Sequence, residues 1–237
     1  MALCFRKSQS HKKGSNFLFT GGRHLISYFC IIIIIIILAN LNFAFSYLSE
    51  INIIVNGNGK QQILSSYSGY CGHASGSFNL LPNEILVNGV PQSSNDKYVD
   101  NLVNQTNIIT MRWNYQVTNC YSMFKDLNNI ISIDLSNFDT SKVEIFDCMF
   151  FGCTSLKSIN LNNVNTSSAK NMAGMFKECS SLETLNFSSF DTLNVIYMNA
   201  MFFGCTSLKS LDLSNFKTPN LENTENMFYS CSSLVLL

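Results

Sequence analysis

The chain has 237 residues, 46% of them hydrophobic and 13% charged, which suits one or two folded domains and excludes a disordered polymer. Its formal net charge is zero, yet residues 1–24 hold Arg6, Lys7, Lys12, Lys13 and Arg23 with no acid, so the remainder sets ten basic against fifteen acidic groups, about −5. Phosphate binding needs clustered Lys and Arg, and no basic stripe follows Arg23, so nucleic acid is excluded as a partner.

The first predicted element follows this basic n-region. The stretch "LISYFCIIIIIIILANLNFAF", Leu25 to Phe45, contains no charged residue and seven consecutive isoleucines. A spanning helix needs roughly 20 such residues, and cations before it stay on the cytoplasmic side. Residues 25–46 therefore read as a signal peptide or a signal-anchor transmembrane helix, and both remain open. Ala44 and Ser46 stand at minus three and minus one of a possible cut, which fits cleavage. The 24-residue n-region is long for a signal peptide, which fits retention in the membrane through residues 25–45. Either way the rest of the chain is expected at the cell surface, anchored or secreted, with its thiols in an oxidising compartment.

Residues 47–110 are expected to form a β-rich N-terminal cap. Here "INIIVNGNGKQQIL" and "NEILVNGV" read as strand-turn-strand pieces around Asn-Gly turns. A terminal repeat needs a cover with a polar outer face, and this segment stands where it would supply one.

Residues 111–237 repeat. The pair Met-Phe begins at Met123, Met149, Met175, Met201 and Met227, 26 residues apart each time, and "NIITMRW" followed by "CYSMF" reads as a divergent first repeat from Met111. With each Met as position zero, position seven holds Ile130, Leu156, Leu182, Leu208 and Leu234, and position ten holds Ile133, Ile159, Leu185, Leu211 and Leu237. Position twelve holds Leu135, Leu161, Phe187 and Leu213, completing the spelling L-x-x-L-x-L. Its last part alternates like a half-buried strand. Val195, Met198, Met201, Phe202 and Cys205 are spaced as one face of a short helix, and Thr140 or Ser141 with Glu144 would make a capping box. A single coil of this kind cannot bury its own apolar face, so coils must stack. The phrase "GCTSLKS", at Gly152 and again at Gly204, is then the turn into the strand. The array stops at Leu237 in mid-strand, so an incomplete C-terminus is expected.

The series "CSSLETLNFSSFDTLNVIYMNAMF" and "MFKDLNNIISIDLSNFDTSKVEIFDCMF" resembles the 26-residue surface-protein repeat of the BspA-like leucine-rich repeat family, found in bacteria and single-celled eukaryotes. The match covers Met111 to Leu237, where register, Met-Phe, Cys, L-x-x-L-x-L and Asp-Thr recur together. The expected fold class is accordingly α/β, a leucine-rich-repeat-like solenoid of stacked parallel strands and short helices behind a small β-rich cap. The resemblance implies an exported protein whose solenoid serves adhesion or recognition, without enzymatic activity or cofactor. There are departures: Phe138, Val164, Phe190 and Phe216 replace the usual Asn, and Leu127, Phe146, Thr224, Asn165 and Lys217 break individual columns.

Residues able to do chemistry are few. Cys71-Gly-His73 is the one place after the apolar segment where a nucleophile lies near a histidine, and no protease signature surrounds it. A cysteine-dependent enzyme is the remote alternative. Cys148 and Cys153 are a close pair without a second pair or histidine to complete a zinc site. Cys153, Cys179, Cys205 and Cys231 would project parallel Cβ vectors, which disfavours disulfides and suits reduced, buried thiols. Cys71 and Cys120 lie outside that column and are the expected disulfide partners. Thr140, Thr166, Thr192 and Thr218 are expected to bond turn backbone beside the preceding Asp.

What remains is the exposed side of the strand. Asp134, Asn160, Asn162, Thr184, Asn186, Ser188 and Asp212 belong to a ladder of small polar groups, the expected contact with a protein or glycan on another surface. Asn104, Asn165 and Asn186 head Asn-x-Ser/Thr sequons compatible with glycosylation. The competing expectation is a structural coat whose repeats only stack and shield.

Overall fold

The computed structural model describes residues 47–71, 74–103 and 105–236, so the expectations for residues 1–46, His73, the Asn104 sequon and Leu237 lie outside the described residues. The strands are β1 (Ser49–Asn56), β2 (Gly59–Gln62), β3 (Ser68–Cys71), β4 (Ala74–Ser77), β5 (Glu84–Val87), β6 (Val90–Pro91), β7 (Tyr98–Leu102), β8 (Thr106–Trp113), β9 (Ile130–Asn137) and β10 (Ser158–Asn160). Six of them form one sheet in the order β10-β9-β1-β8-β5-β6, while β2-β7 and β3-β4 are two-stranded ribbons. Among the described residues no helix is long and apolar enough to cross a membrane.

Alternation fixes the faces of this sheet. β1 turns Ile51, Ile53 and Val55 inward, and β8 turns Ile109, Met111 and Trp113 inward, all fully buried. The Trp113 ring meets Phe138 edge-on at 5.5 Å, and its indole N–H donates to the Leu80 carbonyl at 2.8 Å. Asn88 and Gly89 connect β5 to β6 with φ of 50° and 82°, the positive pair a tight hairpin turn requires. The other Asn-Gly segment behaves differently, since β2 leaves β1 and pairs with β7. β1 is antiparallel to β8 on one side and to β9 on the other, so a cap strand covers the first strand of the array.

Beyond β9 the expected solenoid of strands and short helices is corrected, because the described residues contain no helix. The backbone from Met198 to Gly204 shows why. The amides of Met201 and Phe203 donate three residues back, to Met198 and Ala200, at 3.2 and 3.1 Å. Between them, Met198, Ala200, Phe202 and Gly204 donate to Asn223, Glu225, Met227 and Tyr229 of the next coil at 2.8–2.9 Å. An α-helix would need both sets of donors for itself. Ala200 (φ 53°) and Gly204 (φ 72°) also adopt the left-handed region, which interrupts a helix every fourth residue. The equivalent residues Ser122, Cys148, Gly174 and Asn226, and Asp126, Gly152, Glu178 and Ser230, do the same. The spacing that suggested a helix comes from successive four-residue turns, which also bring every third or fourth side chain to one side.

The coils are therefore zipped most continuously along the Met-Phe strip, with shorter pairing along L-x-x-L-x-L. Parallel bridges run Asn119, Ile145, Asn171, Tyr197, Asn223, one per coil. Under them Phe124, Phe150, Phe176, Phe202 and Phe228 stack with centroids 5.3–5.9 Å apart. On the strand side β10 has three residues, pairs in parallel with β9, and has no regular successor. The expected capping box is absent too: Glu144 pairs with Lys170 at 2.9 Å, and the Thr140 hydroxyl donates to the Asn165 carbonyl of the next coil at 2.9 Å. Thr166 and Thr192 repeat that bridge to Asp191 and Lys217, so these threonines join coils while Asp139 and Asp191 close the local turns.

Candidate recognition surface

Strand pairing arranges the outward residues of the sheet in lines. One line crosses all six strands: Pro91, Leu86, Thr110, Asn52, Asp134 and Asn160 stand opposite one another in turn. Within it the Thr110 hydroxyl donates to Asn52 Oδ1 at 2.6 Å, and Asn160 Nδ2 donates to Asp134 Oδ1 at 3.0 Å. A second line holds Glu84, Arg112 and Glu50, with the guanidinium bonding Glu50 at 2.7 Å and Glu84 at 2.8 Å. The bond to Glu50, followed by that to Glu84, raises the arginine pKa further. A third line runs Ile108, Ile54, Ser132, Ser158, with Ser158 Oγ and Ser132 Oγ 3.0 Å apart.

The structure thus brings Asp134 and Asn160 together with cap residues, and leaves the other expected contacts elsewhere. Asn186, Ser188 and Asp212 border a separate groove of about 350 Å³ between two coils, together with Phe187 and Asn215. Asn162 and Thr184 are exposed beside the end of the sheet. Each position-eleven side chain is partly engaged within its own coil: Asp134, Asn160, Asn186 and Asp212 accept from the amides of Ser136, Asn162, Ser188 and Ser214 at 2.9–3.1 Å. The bonds from Ser214 hold the Asp212 carboxyl below the usual carboxylate range. Asn165 is exposed in a similar turn, its Oδ1 taking the Ser167 amide at 2.9 Å. Glu50, Asn52, Thr110 and Arg112 were not expected on this face. The alternation in "SEINIIVN" and "TNIITMRW" is their signal, but nothing local announces that β1 pairs with β9.

The cysteines give one correction and one agreement. Cys71 is bonded to Cys148, 77 residues on, and Cys120 is a free, fully buried thiol whose pKa burial raises strongly. Cys148 occupies the left-handed position before Met149, outside the column that carries the other cysteines. Gly174 lies beneath it in the next coil, where a Cβ would stand 3.1 Å from the Cys148 sulfur. The bond also removes Cys71 as a nucleophile and Cys148 as a zinc ligand. Cys153, Cys179, Cys205 and Cys231 are free, as their parallel placement implies. Their thiols donate to the carbonyls of Phe124, Phe150, Phe176 and Phe202 at 3.0–3.1 Å, and burial pushes Cys153 and Cys205 up to about 12.

A longer period lies over the 26-residue one. Position two reads Lys125, Phe151, Lys177, Phe203, Tyr229. The Lys125 ammonium lies 4.3 Å from the Phe151 ring centroid, that of Lys177 lies 4.8 Å from Phe151 and 5.0 Å from Phe203, and Phe203 stacks on Tyr229 at 5.0 Å. Tyr67 of the cap closes the column 4.1 Å from Lys125. Stacked coils place equal positions about 4.8 Å apart, so like charges in consecutive coils would repel, and the lysines of this column are interleaved with rings. Position three alternates in step, Asp126, Gly152, Glu178, Gly204, and the phrase "GCTSLKS" follows Phe151 and Phe203 in the same two coils.

The profile of the family described as "Mycoplasma protein of unknown function, DUF285" matches residues 99–184 and 118–235, together more than half of the chain. No curated protein and no solved structure matches it.

Proposed function

We propose, for a chain that belongs to the DUF285 family, a non-catalytic recognition role at the cell surface, anchored or secreted, exercised through the exposed sheet face. The observation that carries the reading is the continuity of that face. The polar side chains of β9 and β10 and those of β1 and β8 stand in shared register lines, so cap and array present one rigid surface. A surface already ordered loses little entropy on binding. Export is supported by the charge-free segment Leu25 to Phe45 and by the Cys71–Cys148 bond, which suits an oxidising compartment. The engaged Cys71 and the raised pKa of the buried thiols favour a binding role over thiol catalysis. The kinship with BspA-like adhesins belongs to this proposal as well, resting on the repeat spelling.

The test replaces Asn160, Asn186 and Asp212 together by Lys in the full-length chain. Binding of the producing cells to neighbouring or host surfaces should be lost, while circular dichroism stays unchanged and melting falls only modestly, by the turn bonds that Asn160, Asn186 and Asp212 give up. Normal binding by this variant would remove the strand side from the contact.

A further inference from the structure

We propose that the partner of this face is a neutral linear glycan, laid across the strands along the line Thr110, Asn52, Asp134, Asn160; the inference rests on the recognition reading above. The argument is one of unused valences. Thr110 donates its hydroxyl proton to Asn52 and keeps its lone pairs. Asn52 Oδ1 accepts that proton and Nδ2 donates to Glu50 Oε1 at 3.0 Å, leaving a second N–H. Asp134 Oδ1 takes both Asn160 and the Ser136 amide, leaving Oδ2 to accept. Asn160 Oδ1 takes the Asn162 amide, and Nδ2 keeps a second N–H beyond its bond to Asp134. The line therefore offers acceptor, donor, acceptor, donor, one from each of four adjacent strands about 4.8 Å apart. A sugar hydroxyl both donates and accepts, and the strand spacing is comparable with the length of one pyranose residue. The internal bonds hold every one of these side chains in place, so few rotamers are lost when a ligand arrives.

The neighbouring lines fit the same class. Ile54 and Ile108 stand opposite each other beside Asn52 and Thr110, and Ile108 is 53% exposed, which gives the C–H face of a sugar ring an apolar floor. Glu50 and Glu84 outnumber Arg112, and Asp134 keeps an open carboxylate oxygen, so acidic sugars meet repulsion. A folded protein partner is less well served. Tight protein contacts centre on Trp, Tyr or Arg in desolvated pockets, and the one arginine here is already held by two carboxylates.

The test uses the full-length chain in detergent micelles with immobilised glucan, mannan and xylan as probes, sulfated dextran as the acidic probe and casein as the protein probe. Retention on at least one neutral polysaccharide is expected, with none on sulfated dextran, and periodate opening of vicinal diols should abolish it. Asn52→Ala with Asn160→Ala should weaken retention tenfold or more, and Lys142→Ala, exposed in a turn outside the sheet, should leave it unchanged. Periodate-insensitive retention on casein that the double variant still loses would overturn the glycan and keep the face. Unchanged retention by the double variant would overturn the line itself. Retention on none of the probes would overturn the glycan class, while the cell-binding test of the triple Lys variant decides the recognition role separately.

Discussion

The Met-Phe strip and the L-x-x-L-x-L strip lie on different sides of the same coils and are built by different rules. In the first, each coil sends four consecutive alternate amides to its neighbour, as Met172, Gly174, Phe176 and Glu178 do to Tyr197, Asn199, Met201 and Phe203 at 2.7–2.9 Å. In the second, strand pairing shrinks from the eight residues of β9 to the three of β10 and then to isolated contacts such as Ser210 with Leu236. Both strips bury apolar side chains, but the backbone donors are shared continuously only in the first. The second, with fewer bonds between coils, leaves its alternate outward positions to small polar residues.

The sharpest way to break this contrast is to place the same charge in each strip. Met175 is fully buried in the first, and Met175→Asp would bury an unpaired carboxylate and leave a cavity beside Phe176; a loss of several kcal/mol is expected. Ser188 is exposed in the second, and Ser188→Asp should change stability by no more than about 0.5 kcal/mol. Chemical unfolding of both variants checks the pair, and equal damage would mean that the two strips are not distinct in the way described.

A milder perturbation tests the two-coil alternation within the first strip. Phe151 separates Lys125 from Lys177, and the Lys125 side chain is only 7% exposed. Phe151→Lys would align three ammonium groups in successive coils and remove the ring that two of them face. Lost cation–π contact and like-charge repulsion together should cost about 2–4 kcal/mol. Phe151→Leu removes the ring alone and should cost about 1 kcal/mol. Added salt should recover part of the Lys variant's melting temperature and little of the Leu variant's. Equal salt responses would mean that charge does not set the alternation.

Much of this architecture was legible and some of it was not, for physical reasons. The methionine column is buried where the 26-residue register puts it, because burial of Met123, Met149, Met175 and Met201 depends only on recurrence, while Ile159, Leu185, Leu213 and Leu234 of the leucine columns are only partly buried. The helix was misread because four-residue turns and a 3.6-residue helix bring nearly the same residues to one side. What separates them is backbone conformation at Ser122, Cys148, Ala200 and Asn226, residue types that do not demand positive φ. The partner of Cys71 was misassigned because Cys148 looks like part of the array, and only the three-dimensional path brings the β3 hairpin to it. On the proposed recognition face Asp134 and Asn160 were readable from alternation, whereas Asn52 and Thr110 needed the long-range pairing of β1 with β8 and β9.

The smallest expected effect sits where cap and array meet. Asp139 accepts from the Ser141 amide at 3.0 Å and from the Gln116 amide group at 2.9 Å, while its own N–H donates to Ser49 Oγ at 3.0 Å. Burial alone would raise its pKa, but the bonds from Ser141 and Gln116 favour the ionised form, and the net direction is downward. A carboxyl held below its unfolded value adds stability above that value, about pH 4, and loses it as pH falls through the folded pKa. Acidification below about pH 4 should therefore loosen this joint slightly, in addition to the general effect of acid. Asp139→Asn keeps an acceptor for Ser141 but cannot titrate, so its melting temperature should fall less steeply with acid than that of the wild type. The two should differ most near neutrality, where Asp139 is ionised, and converge as the pH falls below about 4 and the folded carboxyl is protonated. A wild type and variant with parallel curves from pH 3 to 7 would show that Asp139 titrates alike in the folded and unfolded chain.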